Sequence, residues 1–399
     1  MSLNALKLRL IFAFLIAGAI PELLTMGFSP LTPFLIERFV LTEVHIGLLS
    51  ASMGAGSLVL SVSAGHFVDV RGSRTVLMAS VFVAVLSFMA LSLAGGFYSL
   101  FVVFFLAGSF RPFSDIASTK ATMLAVPGPD QTTAVGIVHV GPSLASVATS
   151  ALLPGLITVI GWRSGLQLTG VLLLPVGWWV CRSLVAQGDL PLDRQAHRGR
   201  LFVLLRNPGF SRCLIVWGSF MSGNFAFLSF FILHLTAVVG LRPSMAGGVL
   251  ALAQVVAMIG RPLWGVISNR FFGGRRIRAA LIMGVIATVV FAALALLPRE
   301  AGALIPAVIA IGAGASIMSS RPVATTLAVE YVPQKDAGRA LALLSLVTWT
   351  VAMVLPPLMG WIITYAGSWT WAWMVSAIIA GGSIPALLSL PPSPVRPEG

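Results

Sequence analysis

The chain has 399 residues, 57% of them hydrophobic and only 9% charged, at a mean hydropathy of +0.98, which leaves too little polar surface to cover a soluble core of this size. Its apolar runs of roughly 20 residues are each long enough to cross a hydrocarbon layer as helices, and the short alternating segments of a membrane β-barrel are missing. The net charge of +13 would suit a nucleic-acid partner in a soluble protein, but the basic residues lie in short connections between apolar runs, as orientation in a membrane requires, and nucleic acid is excluded.

The first predicted helix runs over 8–30 and carries Glu22 directly after Pro21. Lys7 and Arg9 before it, and Ala17-Gly18-Ala19 within it, have the pattern of a secretory signal. Further spans follow at once, and losing this one would leave an odd number, so it is read as a span. Helices over 45–66 and 75–94 flank the segment Gly65-His66-Phe67-Val68-Asp69-Val70-Arg71-Gly72-Ser73-Arg74. The fourth, over 98–124, holds Arg111, Pro112 and Asp115. An ionisable side chain at bilayer depth costs about 2.5–3.5 kcal/mol on insertion scales, so one that persists faces a partner or a wet cavity. Arg111 and Asp115 are four apart, share a helix face and suit an ion pair. That pair either makes Arg111 tolerable or forms a switch, in which protonating Asp115 frees Arg111 for an anion. Helices over 134–160, with His139, and 164–185 complete a first half, residues 1–186.

A polar, Arg-rich linker, 187–209, precedes the second half, 210–399, with helices over 210–237, 245–268, 279–297, 303–330, 339–366 and 370–390. Asn224 and Gln254 offer polar contacts within it or glue between helices. Arg261 lies in Gly260-Arg261-Pro262-Leu263-Trp264-Gly265, and Arg321 precedes Pro322. Both arginines are expected at bilayer depth, with snorkelling to the cytoplasmic surface as the alternative. Cys181 and Cys213 have no partner at metal-ligand or disulfide spacing and are read as packing residues.

Three matches tie the halves together. Gly65 to Asp69 and Gly265 to Asn269-Arg270 both end a second helix; Arg111-Pro112 and Arg321-Pro322 both lie in a fourth; Gly161-Trp162-Arg163 and Gly367-Ser368-Trp369 both close a fifth. Their shared order and nearly constant spacing, 200 to 210 positions, mark an internal repeat. Of the 25 Lys and Arg, eighteen then fall on one side of the membrane, four on the other (Arg38, Arg163, Arg242, Arg299) and three within helices. The excess predicts that both termini and the linker are cytoplasmic, on a multi-pass protein of the cell's inner membrane.

The Gly65 to Arg74 segment resembles the loop between helices 2 and 3 of the major facilitator superfamily, written G-x-x-x-D-R-x-G-R-[RK], with a degenerate copy at Gly265, Asn269, Arg270 and Gly273. The resemblance implies two pseudo-symmetric six-helix bundles, an all-α polytopic fold of about 12 spans. It also implies a gating role for Gly65, Asp69, Gly72 and Arg74, with Gly265, Asn269 and Arg270 as their counterparts; Val70 and Ser73 replace two of the usual basic residues. Arg261 is similar to the helix 8 arginine of monocarboxylate and oxalate carriers, where that residue is implicated in binding carboxylate, a task its planar fork suits. The G-P-x-x-G-G run of proton-driven exporters has no counterpart at Thr149-Ser150, which lowers the standing of drug export.

These features predict a secondary transporter rather than an enzyme: no nucleophile with a base, metal-ligand cluster or phosphate loop is legible, and no cofactor is expected. The expected solute is a small organic anion, bound by Arg111, Arg261, Arg321 and Asn224. Protons are the expected coupling ion, carried by Glu22, Asp115 or His139, and the chain is expected to act as a monomer in the lipid bilayer. The alternatives are a proton-driven drug or metabolite exporter of the same fold and, below it, a membrane receptor that has lost transport.

Overall fold

The computed structural model describes residues 5–125, 134, 137–185, 201–273, 275–333 and 336–391. Among these every regular element is a helix, and 12 helical segments are long and apolar enough to span a membrane. The first six spans are α1 (Ala5–Phe39), α2 (Glu43–Arg71), α3 (Ser73–Ser92), α4 (Phe97–Ala125), α5 (Val140–Ile160) and α6 (Trp162–Val185). A 3-10 turn (Leu201–Arg206) leads into α7 (Pro208–Ala237), α8 (Pro243–Phe272) and α9 (Arg276–Ala295). The tenth span is broken into α10 (Leu304–Ala315), a 3-10 turn (Ile317–Ser319) and α11 (Ser320–Val329); α12 (Ala337–Ala366), α13 (Trp369–Gly381) and α14 (Ser383–Leu388) complete the chain.

Two compact units result, one of residues 1–41 and 48–197, the other of 42–47 and 198–399. Of the predicted linker, 187–200 lies outside the described residues, and its remainder is the 3-10 turn and the start of α7. Asn207 starts α7: its Oδ1 accepts from the N–H groups of Gly209 and Phe210 at 2.9 and 3.2 Å, and Pro208 occupies the first helical position, where no N–H is needed.

Each unit is packed as a membrane protein must be. In the first, Ile11, Phe14, Ile20, Phe113 and Val180 form a buried core; in the second, Phe210, Trp217, Met283, Leu327 and Leu344 do so. Large apolar side chains such as Phe82, Val159, Val289 and Ile378 remain exposed, as lipid-facing surface requires. Helices approach closely where glycine allows it. A Cβ on Gly108 of α4 would lie 2.2 Å from the Met53 carbonyl of α2, and one on Gly314 of α10 would lie 2.4 Å from the Ala253 carbonyl of α8.

Two helices differ from expectation. Helix α1 runs to Phe39, past the predicted end at 30, with Pro21, Pro30 and Pro33 inside it; neighbouring side chains can re-satisfy the carbonyls that a proline orphans. The helix expected over 134–160 is interrupted: residues 134, 137 and 138 are helical, His139 forms a turn, and α5 runs on from Val140. Pro142 falls in the first turn of that helix, where proline fits.

Candidate functional site

Charge enters the first unit on α1 and α4. Pro21 and Pro112 each remove the N–H that would bond the carbonyl four residues earlier, freeing Ala17 and Gly108. Both carbonyls are recapped from another helix: Ser114 Oγ donates to Ala17 O at 3.3 Å, and Ser57 Oγ donates to Gly108 O at 2.7 Å. The side chains beside these prolines meet. Arg111 Nε donates to Glu22 Oε1 at 2.5 Å, and Thr25 Oγ1 donates to Glu22 Oε2 at 3.0 Å. Both carboxylate oxygens of Glu22, a residue only 6% exposed, are thus held. Breaking such a pair by removing one partner is expected to cost roughly 3–5 kcal/mol, because the other charge stays buried.

Beside the pair, Asp115 and His139 face each other with Oδ1 and Nδ1 3.9 Å apart, both about half exposed. Thr119 Oγ1 lies 3.3 Å from His139 Nε2 and donates to the Asp115 carbonyl at 2.8 Å. Glu22, Arg111, Ser114, Asp115, Ser118 and His139 line one cleft of about 260 Å3, open solvent included. The fold therefore brings together all three proposed proton carriers and one of the proposed substrate arginines. Sequence spacing pointed to Asp115 as the partner of Arg111; the structure gives Arg111 a bond to Glu22, 89 positions away.

Arg261, Arg321 and Asn224 belong to the second unit. Arg261 Nε donates to the Met318 carbonyl at 3.3 Å, and Trp264 Nε1 donates to the Ala315 carbonyl at 2.6 Å, so α8 grips the break in the tenth span. Arg321, two residues beyond the 3-10 turn, is exposed on this unit, and Asn224 is half-buried on α7. Gln254 is buried, its Nε2 lacking a hydrogen-bond partner.

Of the motif residues, the surroundings of Gly65 and the side chain of Asp69 lie outside the described residues. Gly72 takes φ +80°, a conformation that favours glycine, directly before α3, and Arg74 in the first turn of α3 is half-buried. In the second copy Asn269 and Arg270 are exposed. A Cβ on Gly265 would meet no atom within 4 Å, whereas on the same helix one on Gly260 would lie 2.4 Å from Ser319 Oγ. At the start of α9, Arg276 pairs with Glu330.

Sequence reasoning passed over Ser57, Ser114, Thr25 and Trp264. Each proline identifies by counting which carbonyl it frees, yet nothing in the spacing says which distant donor reaches it.

The model of the Major Facilitator Superfamily matches residues 12–321. No curated protein matches the chain. Among solved structures, two of a bacterial homolog of the human lysosomal transporter Spinster, one inward-facing and unoccupied and one inward-facing and occupied, each superpose with a TM-score of 0.74 at 16% identity. Each covers 97% of this chain and 96% of the other.

Proposed function

The chain belongs to the Major Facilitator Superfamily, a multi-pass secondary transporter, and on that premise we propose that it is proton-coupled and moves a small organic anion across the inner membrane, with both termini cytoplasmic. One observation carries this reading: the Arg111 guanidinium on the wall of the cleft is bonded to the Glu22 carboxylate, the nearest group able to take a proton in its place. While Glu22 is ionised, the two charges balance and the bond gives an anion no advantage. A proton on Glu22 removes that balance, and Arg111 then carries a charge that an anionic solute can neutralise. Proton and anion so favour each other's binding, which is the coupling a symporter needs. Asp115 and His139, half exposed beside the pair, support a route by which the proton reaches it.

Asp115 also favours a second reading. With Glu22 engaged by Arg111, Asp115 adds a further carboxylate to the cleft, which suits export of a cationic or amphipathic compound against protons.

Uptake of radiolabelled lactate and oxalate, and of a cationic dye, into proteoliposomes under an imposed pH gradient separates the two. Under the first reading a carboxylate accumulates with the gradient, Arg111→Ala abolishes uptake, and Glu22→Gln leaves exchange at equal pH while losing gradient-driven accumulation. Movement of the dye alone, blocked by Asp115→Asn, would establish the second instead.

A further inference from the structure

We infer that Arg261 is a positioning residue for transport: through Nε it holds the Met318 carbonyl at the break in the tenth span, and it acts on the solute path through that span. Several independent features meet there. Pro322 has no N–H to give the carbonyl of residue 318, the bond an α-helix would make. Arg261 Nε donates to that oxygen at 3.3 Å. One turn further along α8, Trp264 donates to the Ala315 carbonyl at 2.6 Å, whose own helical donor, the Ser319 N–H, is turned instead to the Ser316 carbonyl. Gly260, next to Arg261, brings the α8 backbone against Ser319. Two donors three residues apart on α8 thus meet two acceptors three residues apart on the broken span.

The first unit solves the same problem with a different side chain. Pro112, the repeat mate of Pro322, frees the Gly108 carbonyl, and a hydroxyl, Ser57 Oγ of α2, caps it at 2.7 Å. A neutral donor suffices there, so what the carbonyl requires is an N–H or O–H at the right place and not a positive charge. Irregular backbone at bilayer depth persists only where its polar groups are satisfied, and discontinuous spans are where carriers build solute sites. Holding the break in place therefore fixes the geometry of the second unit's share of the path.

The test exploits where each side chain carries its donor. Glutamine places its amide nitrogen at the same position along the side chain as the arginine Nε; lysine keeps the charge but puts a methylene there. Wild type, Arg261→Gln, Arg261→Lys, Arg261→Met and Arg261→Met with Pro322→Ala are compared by thermal unfolding in detergent and by radiolabelled lactate and oxalate uptake. Arg261→Gln is expected to melt within about 1 °C of wild type, and Arg261→Lys and Arg261→Met about 2–4 °C lower. Pro322→Ala restores Arg261→Met, because an alanine in place of the proline supplies the missing N–H. Uptake rates follow the same order with KM changed by no more than about twofold. Arg261→Lys matching wild type while Arg261→Gln falls, or a rise in KM with melting unchanged, would overturn the assignment and make Arg261 a ligand of the solute. The inference draws on the anion reading only in its uptake arm: if neither carboxylate moves in wild type, that reading fails while the melting order still decides the brace.

Discussion

A proline inside a membrane helix leaves a carbonyl without its donor, and in hydrocarbon water does not fill the place. Three prolines here, Pro21, Pro112 and Pro322, free Ala17, Gly108 and Met318, and each of those oxygens accepts from a side chain on another helix: Ser114, Ser57 and Arg261. The position of each freed carbonyl can be counted from the sequence, but its donor is set by helix packing and cannot. Arg111 shows the same boundary. Its place in an apolar helix was legible from hydropathy, whereas its bond to Glu22 joins two helices that approach where Gly18 of α1 lies beside Ser118 of α4. One prediction isolates a single hydrogen bond. Ser57→Ala should destabilise the protein by about 1–2 kcal/mol, since a buried carbonyl loses its partner. Adding Pro112→Ala should recover most of that loss, because the substituted residue restores the helical donor to Gly108. Thermal melts of the two single variants and the double variant check it, and additive losses would show that Ser57 acts some other way.

Tyr331 supplies a pH dependence outside the spans. Burial, and then the neighbouring Cys213, push its phenol above the ordinary tyrosine value. Its hydroxyl donates to the Pro391 carbonyl at 2.6 Å, and its own carbonyl accepts from Asn207 Nδ2 at 2.6 Å. A phenol whose folded pKa is raised favours folding while protonated, so its contribution is complete below about pH 10 and is lost as pH rises through the higher folded value. Stability of wild type should therefore fall at alkaline pH more steeply than that of Tyr331→Phe, which has no proton to lose; parallel profiles for the two proteins in detergent would count against this.

At the scale of helices, the break in the tenth span follows from its sequence. Gly312, Gly314, Ser316, Ser319 and Ser320 precede Pro322, a run with poor helix propensity and hydroxyls ready to bond backbone. The serines do so: Ser316, Ser319 and Ser320 donate to the carbonyls of Gly312, Gly314 and Ile317. The extension of α1 beyond residue 30 was not legible, because three prolines read as stops when neighbouring helices are ignored. Close packing of α2 on α4 gives a sharp test. A side chain at Gly108 meets the Met53 backbone, which has no flexible end to yield, whereas one at Gly155 meets nothing within 4 Å. Gly108→Ala should cost about 3 kcal/mol or more and lower the folded yield, while Gly155→Ala should be nearly neutral. Size-exclusion profiles of the two variants in detergent report the difference, and equal behaviour would argue that α2 and α4 separate without penalty.

Across the whole molecule, the twelve spans were legible because hydropathy is a property of the chain alone. The sign of the cleft was not: the arginines expected at bilayer depth led to an expected anion, but Arg111 is engaged by Glu22, a partner that spacing did not indicate. Under the proposed mechanism, orientation in the membrane decides which compartment supplies the proton, and the charge distribution predicts that orientation. With eighteen basic residues on the side of the linker and four opposite, the connection at Arg275 should be cytoplasmic and that at Arg299 external. In a background with Cys181 and Cys213 replaced, a membrane-impermeant maleimide should label Arg299→Cys in intact expressing cells and Arg275→Cys only after the membrane is opened. Arg275 and Arg299 are both exposed, so access and not burial limits the reaction. Labelling in the reverse pattern would invert the molecule, and with it the compartment from which, under the proposed mechanism, a proton reaches Glu22.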